Sequence, residues 1–466
     1  MSWKRTETLP WQEPLSLAQP HAQADMALLY SGLHEEFTGQ FSYLFLEPLE
    51  EKSGNAWAEL PPLPPESDNL PLWVGYLGYG MREEAARAEN SPITLPDFRL
   101  VRYRVMFRFD HKKRAVERFE SALTNNKNSI VPPPLGGRLG GGHSEHKIPN
   151  VSPSFDGYTA SYSSSPQVLG MAPPQPSPYG GGRTPLTSNL TRAEYEHIVA
   201  ATIERIRAGD FYQANITRKF FGEFAQEPNS FELFTKLCEA SPAPYSAYIR
   251  HGESAILSSS PECFLSIDAA GVMTTRPIKG SAQRLMDDAE DAKNREALSV
   301  SEKNHAENLM IVDLMRNDLA RVSEPMSVKV IEQSKLYSYR TIHHLISTIR
   351  SKKRADISAY EAVRASFPAG SMTGAPKIAA MRWCTAQEKR ERGVYSGAIG
   401  WFGAGNICDF SVVIRTLIIH ENRFEFQVGG GIVVDSTPED ERKETIAKAR
   451  GIITALGISE DALERL

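Results

Sequence analysis

The chain has little cysteine and nowhere pairs it. Cys238, Cys263, Cys384 and Cys408 are scattered through 466 residues with no CxxC spacing. That excludes a disulfide frame, speaks against a zinc site, and suits buried thiols in a reducing compartment. No apolar run approaches the roughly 18 residues that a membrane span needs. The opening MSWKRTETLPWQEP is polar and lacks the apolar centre of a secretion signal, so a cytoplasmic protein is expected. The net charge is only −5, with acids and bases mixed along the chain. Without a basic patch interleaved with aromatics, nucleic acid is not an expected partner. There is no glycine-rich phosphate loop, no HExxH, no GxSxG and no internal repeat.

What is present is enough apolar sequence for a sizeable core and a length that allows two or three domains. Residues 22–48 combine a short helical stretch with strand-like FSYLFLEP. LWVGYLGYG at 72–80 reads as a strand with close backbone neighbours. Residues 99–119 read as a hairpin turning at Asp110–Lys112. Composition then breaks. Residues 122–188 are rich in Pro, Gly, Ser and Asn, cannot bury enough apolar area to offset their ordering entropy, and read as a flexible insert or linker. Order returns at Thr191. Its capping box with Glu194 opens a helix whose stripe is Tyr195, Ile198, Val199, Thr202 and Ile206, and Gly209 stops it. A strand follows through FYQANITRKFFGEF. Helices are predicted at 230–241, 302–320, 358–366, from near Pro376 in its first turn, and at 438–456. Strands are predicted at 244–250, 254–259, 263–275, 393–402, 407–418 and 423–434. Hairpins mixed with helices, without regular βα alternation, give an α+β fold.

The residues that carry chemistry concentrate between Ser259 and Arg321 and in the last helix. Lys279 lies between a proline-led dipeptide and Gly280 as a strand-like run ends. On spacing alone it reads as a solvated turn lysine. Glu441, Glu444 and Lys448 fall at i, i+3 and i+7, on one helix face. Just before them Gly429, Gly430 and Gly431 follow a strand, where bare amides approach a ligand closely and a helix N-terminus favours an anion. The plainer alternative is a surface helix with an ordinary Glu–Lys pair after a flexible turn. Glu307 precedes an apolar run; two glutamates from separate helices suit Mg²⁺, which takes few carboxylates and keeps waters. Arg415, inside the apolar strand SVVIRTLII, lies either on an open face or buried against a partner, where its planar fork suits a carboxylate. Tyr395 is compatible with plain core. Of His343 and His344, one is structural. The charges at 386–392 read as a solvated face.

Taken together, SPECF at 260–264, RPIKGSAQR at 276–284, AENLMIVDLMRNDLARV at 306–322, FPAGSMTGAPKIAAM at 367–381, GVYSGAIGWF at 393–402 and VGGGIVVDSTPEDERKETIAKA at 428–449 resemble the chorismate-utilising enzymes. These are the anthranilate synthase large subunit, aminodeoxychorismate synthase component I, and the isochorismate and salicylate synthases. The resemblance is dense over 191–456 and weaker over 25–120. It implies large antiparallel sheets packed as a sandwich with helices outside. It also implies an N-terminal region of the anthranilate synthase component I type at 1–121 and a chorismate-binding catalytic region at 189–466. The insert at 122–188 has no counterpart. Lysine at 279, where anthranilate synthases carry alanine, resembles the aminodeoxychorismate synthase branch. Gln213 departs from the water-activating lysine of isochorismate and salicylate synthases.

Carried onto this chain, the resemblance implies Mg²⁺ held by Glu307 and Glu444 with Glu441 near, binding the ring carboxylate of chorismate. Lys448 and the amides of Gly429, Gly430 and Gly431 would support the carboxylates, and Arg415 and Tyr395 would hold the enolpyruvyl group. Ser281, Thr373, His344 and Gln213 would line the pocket. Glu262 would act as acid–base at the C4 hydroxyl, and Lys279 as nucleophile. Asn304 stands where relatives have an acid. The chain carries no Cys–His–Glu glutaminase set, so a separate glutamine amidotransferase subunit, or free ammonia, would supply nitrogen. No lyase is attached, so the product would be 4-amino-4-deoxychorismate, toward p-aminobenzoate and folate. MALLYSG at 26–32 resembles the family's effector pocket, a place for tryptophan. The alternatives are an anthranilate synthase large subunit, or a catalytically idle paralogue that binds an effector or partner.

Overall fold

Thr191 begins its helix as the sequence dictates. Its hydroxyl accepts from Glu194 N, the Glu194 carboxylate returns to the Thr191 backbone, and Arg192–Arg207 follows. Ser358 and Glu361 repeat the device ahead of Ala359–Ser366. Ser301 caps Glu302–Ala320 and Thr437 caps Pro438–Leu456. Such caps satisfy amides that the first helical turn leaves without partners. A computed structural model describes residues 3–33, 40–66, 68–83, 88–121, 186–339 and 342–466. The low-complexity stretch read as an insert lies outside them, apart from residues 186–188. The described residues fall within one compact unit, Met1–Leu123 with Ser177–Leu466.

Every pairing between the strands is antiparallel, and the ladder can be walked from one end to the other. It starts at Gln213–Glu223, which pairs with Arg423–Ile432, then passes through Thr416–His420 and Ser254–Ser260 to Tyr245–His251. There the N-terminal region enters: Met26–Tyr30 pairs with Tyr245–His251, and Phe41–Gly54, Phe98–Asp110 and Pro71–Leu77 follow. Pro71–Leu77 hands over to Ala398–Gly403, and the ladder runs on through Ile407–Val412, Cys263–Ile267 and Val272–Arg276 to Ile342–Lys352. Ile278–Gln283 and Lys329–Ser338 pair with that last strand.

Burial explains the layers. One apolar cluster is drawn from strands and loops alone, with Phe45, Val74, Tyr76, Ile249, Ile256, Ile399 and Ile418, so sheet packs on sheet there. Two others add helices to strand faces. Phe231, Leu233, Phe234, Leu237, Ile446, Ile452 and Ile453 cover Phe220, Phe424, Phe426 and Val428. Ile311, Val312, Met315, Ala362 and Val363 cover Phe264, Leu265 and Ile349. The fold is therefore large antiparallel sheet with helices outside, as expected. One buried ion pair sits in the first half: Lys219 Nζ donates to Glu425 Oε1 and to Ser91 Oγ, both at 2.8 Å. All four cysteines are free and buried. Among the described residues no helix is long and apolar enough to cross a membrane.

Several local expectations are corrected. The helical turn near the N-terminus is Pro14–Ala18, and MALLY at 26–30 is a strand, because β-sheet neighbours on both sides override a short helical pattern. Pro376 caps the helix Lys377–Glu388 rather than lying inside it. The strand read at 393–402 begins only at Ala398; Gly393–Gly397 is a turn with Ser396 at φ 64. Arg415 is not inside a strand. It sits at φ 51 in a break between Ile407–Val412 and Thr416–His420, so the apolar run bends there. The glycines at 429–431 lie within Arg423–Ile432, paired with Thr217, Ile216 and Asn215, and do not form a flexible turn. Finally, 386–392 is not a solvated face: Glu388, Glu391 and Arg392 are buried against the N-terminal region and the Gln213–Glu223 strand.

Candidate active site

Two strands that do not pair with each other meet at one place: Gln213 opens the strand Gln213–Glu223, and Lys279 sits on Ile278–Gln283. Gly431 marks their meeting: a methyl added there would overlap Gln213 Nε2 and lie 2.8 Å from Lys279 Nζ. The absent side chain is the space those two groups use. Gln213 is buried, and neither of its amide atoms has a hydrogen-bond partner. An orphaned buried amide is costly, so it marks a position where a bound molecule completes the bonding.

Burial holds the Lys279 ammonium below the usual lysine range. Glu307, Glu262 and Glu444 pull it back up, and Lys448 adds to the fall. The carboxyl of Glu262 is buried, which pushes it up to about 7 against the pull of Ser371, Lys279, the Ile278 amide and Lys448. Three carboxylates and two lysines from four segments therefore act on one another. Burial thus shifts both groups toward their neutral forms, the carboxyl of Glu262 upward and the ammonium of Lys279 downward.

The last helix supplies the wall. Lys448 Nζ lies 2.6 Å from Glu444 and donates to Gly429 O at 2.8 Å. Lys448 chiefly holds the Glu444 carboxyl below its usual range. Glu441 is buried, accepts from Ser436 Oγ at 2.6 Å, and is pushed up to about 7 by burial and by Glu444. Its free oxygen faces Gly430, where a methyl would lie 2.5 Å from it. These hard oxygens, with Glu307 acting on the same lysine, suit Mg²⁺ by donor type. Glu307, Glu441 and Glu444 do not converge within 4.8 Å. Among the described residues the trio of donors that does is Glu253, His420 and Glu421, at two adjacent hairpin turns outside this region.

On the other side, Ser281 and His344 are register partners, with Oγ and Nδ1 2.6 Å apart. Burial, then Arg415 and His343, push the His344 imidazole well below its usual range, leaving it neutral, and its Nε2 is buried without a partner. His343 is the structural member of the pair, bonded to Ser338 Oγ at 2.8 Å and Asp291 at 3.1 Å. Burial lowers Arg415 to about 10, with Glu262 opposing. Thr373 is buried, its carbonyl accepting from Asn215 N at 2.9 Å, and Tyr395 is buried with its phenol pushed up by desolvation. Asn304 packs at Gly280 beside Lys279 and bonds Ser301 Oγ at 2.9 Å. Glu262, Glu307, Glu444 and Lys448 thus act on Lys279, Gln213 shares the space over Gly431 with it, and Arg415 links Glu262 to His344. Ser371 and Lys303, whose charge or hydroxyl acts on Glu262, Glu441 and Glu444, were not singled out. Ser371 stood in the quoted FPAGSMTGAPK motif; Lys303 carried no signal beyond its helix.

The chain is also similar to known proteins along most of its length. The model of a family described as chorismate binding enzyme matches residues 19–454. A Streptomyces griseus protein named aminodeoxychorismate synthase is 35% identical over 397 residues, covering 84% of this chain and 51% of that protein. Anthranilate synthase component 1 of Streptomyces coelicolor is 32% identical over 428 residues, covering 90% of this chain and 78% of that one. The crystal structure of anthranilate synthase component I from Streptococcus pneumoniae superposes with a TM-score of 0.68 at 26% identity, over 90% of this chain and 93% of the other. The chain spans 30%, 51% and 36% of the length of three relatives named aminodeoxychorismate synthase, between about a third and a half.

Proposed function

The chain belongs to the chorismate-binding enzyme family, and on that premise we propose that it aminates chorismate at C4 to give 4-amino-4-deoxychorismate. The observation that carries the reading is Lys279, buried among Glu262, Glu307 and Glu444 with its charge disfavoured. Names of relatives support it, since several at 35–42% identity are called aminodeoxychorismate synthase. Component 1 in the name of relatives supports a separate partner, proposed here to be a glutamine amidotransferase subunit that delivers ammonia.

Chorismate is a dianion, and its C4 hydroxyl is a poor leaving group. Arg415 and Lys448 offer cations for the carboxylates, and Tyr395, Thr373, Ser281 and the neutral His344 orient the ring. Mg²⁺, held by Glu307 and Glu444 with Glu441 near, would neutralise the ring carboxylate when bound. Neutral Lys279 Nζ attacks C2, the ring double bond shifts, and the C4 hydroxyl leaves as water with the proton of Glu262. Ammonia then bonds to C4, the double bond shifts back, and the C2–N bond breaks to return Lys279. The surplus proton passes to the Glu262 carboxylate. The sum is chorismate plus ammonia giving aminodeoxychorismate plus water.

The anthranilate synthase relatives favour a second reading, in which the pyruvyl group is lost and anthranilate forms. Incubation with chorismate, Mg²⁺ and ammonium separates the two. Aminodeoxychorismate, converted to p-aminobenzoate only when a lyase is added, supports the proposal. Fluorescent anthranilate formed without a lyase overturns it, and no consumption of chorismate points to the idle paralogue. Tryptophan at Met26–Tyr30 is proposed as an effector, testable by calorimetry.

A further inference from the structure

Arg392 lies in the charge-dense stretch before the Gly393–Gly397 turn, yet it is 1% exposed. It uses its whole guanidinium. Nε donates to Glu388 Oε2 at 2.8 Å. One terminal nitrogen donates to Glu388 Oε1 at 2.6 Å and Asn215 O at 2.8 Å; the other donates to Met372 O at 2.7 Å and Ser396 Oγ at 3.1 Å. That is one acceptor for each N–H a guanidinium owns.

Glu388 alone neutralises the charge. The other acceptors belong to three separate segments, each beside a side chain assigned above to the substrate. Asn215 is two residues along the strand from Gln213, Met372 precedes Thr373, and Ser396 follows Tyr395. The segments are also tied to one another at this point: Asn215 Nδ2 donates to Met372 O at 3.2 Å, and Glu388 accepts from Thr217 N at 3.1 Å. Ser396 is at φ 64, a conformation that persists in a non-glycine residue only when its surroundings impose it. An ion pair is a poor way to fill a core volume, because apolar side chains of the same size are often as stabilising. What an arginine does there, and an apolar side chain cannot, is tie two backbone carbonyls, of Asn215 and Met372, to the Ser396 hydroxyl at once.

We propose that Arg392 is a positioning residue: without touching substrate, it sets the relative placement of Gln213, Thr373 and Tyr395. The proposal rests on the functional reading above for what those side chains do, and not for whether Arg392 holds their backbones.

Arg82 provides an internal control. It is a second buried arginine stacked on Tyr79, at 4.5 Å against 4.6 Å for Arg392, and it is paired with Glu391 at 3.1 Å rather than with the site segments. The test compares Arg392→Lys, Arg392→Met and Arg82→Gln in the full chain, with chorismate, Mg²⁺ and ammonium. Activity is expressed per folded molecule, and amide exchange is followed over 213–217 and 371–375. Lysine keeps the charge but not the fork, so Arg392→Lys is expected to lose about 10- to 100-fold in kcat. KM for chorismate should change less than about threefold, because Arg415 and Lys448 still bind the dianion. Exchange should accelerate in both segments. Arg82→Gln should lower the melting temperature with kcat within about twofold. Unchanged kcat per folded molecule in both Arg392 variants overturns the proposal, as does an equal loss in Arg82→Gln. If neither Arg392 variant folds, Ser396→Gly decides, since it removes one acceptor while easing the backbone: a kcat loss of about threefold or more supports positioning, and unchanged kcat overturns it. If the wild type consumes no chorismate, the functional reading fails, and exchange alone decides: faster exchange supports the role of Arg392 and unchanged exchange overturns it.

Discussion

Gln213 Nε2 and Lys279 Nζ, from two strands that do not pair with each other, share the space over Gly431 that a single methyl would fill. The backbone of Gly431 lies in a regular strand and not at positive φ, so alanine there strains no dihedral. Gly431→Ala is therefore expected to displace the two side chains rather than the fold. Amination should fall by about 100-fold or more, the cost of a displacement near 1 Å at a reacting group, while the melting temperature shifts by only a few degrees. Steady-state kinetics beside a thermal melt check this.

Lys279→Ala removes the proposed nucleophile without unpairing a strand. Amination with free ammonia should fall by on the order of 1,000-fold, while chorismate still binds with a Kd within about tenfold, since the carboxylate partners remain. Near-normal turnover in that variant would falsify covalent catalysis by Lys279.

Glu262 makes a pH prediction. Its carboxyl is raised to about 7 by burial, and the protonated form is the proposed donor. The rate should thus fall as pH rises through about 7, and Glu262→Gln should abolish that limb together with most of the rate. The stability sign follows from the same shift. The unfolded chain gives up this proton near pH 4.3 while the folded chain keeps it to about 7, so the contribution is full below the lower value and is lost as pH rises through the upper one. Urea midpoints for wild type and Glu262→Gln across that window measure it: the variant should show the weaker dependence on pH.

Magnesium gives a fourth handle. Chelation should abolish amination, and Glu444→Gln or Glu307→Gln should weaken Mg²⁺ by about 10- to 100-fold. Thermal shift against Mg²⁺ concentration reads this without relying on turnover. A wild-type melt indifferent to Mg²⁺ would count against the assigned ligands.

The Lys219–Glu425 pair predicts a large stability effect far from the reaction. The two side chains are 1% and 2% exposed. Glu425→Ala leaves a buried ammonium without its counter-charge, which should cost about 3–5 kcal/mol in urea denaturation. Replacing both residues with apolar side chains should recover much of it.

The catalytic half was readable where the signal is local. The Thr191–Glu194 capping box, most of the stripe on Arg192–Arg207 and the shared face of Glu441, Glu444 and Lys448 all depend on residues a turn or two apart; the stripe buries Ile203 more deeply than the Ile206 read for it. Reading failed where a distant segment decides. Arg392 and Glu388 look solvated in sequence because nothing nearby reveals that Tyr79 and the Gln213–Glu223 strand cover them. Arg415 looked like a strand residue because an apolar run does not announce its own bend; Ser259 N bonding to Arg415 O is part of what holds that bend. The strands Lys329–Ser338 and Ile342–Lys352, polar on one edge, were passed over for the same reason.

The order in which strands meet has a consequence for how the chain acquires its shape. Met26–Tyr30 and Pro71–Leu77 are made first, yet each completes its ladder with a partner made much later: Met26 against Arg250, and Leu77 against Ala398. Contacts this distant in sequence make closure slow and leave hydrogen-bonding edges bare in the meantime. During synthesis Met26–Tyr30 and Pro71–Leu77 should therefore wait for these partners with one edge unpaired. Conditions that prolong that wait should lower yield through aggregation, even though the finished protein presents no such edge at Tyr245–His251 or Ala398–Gly403.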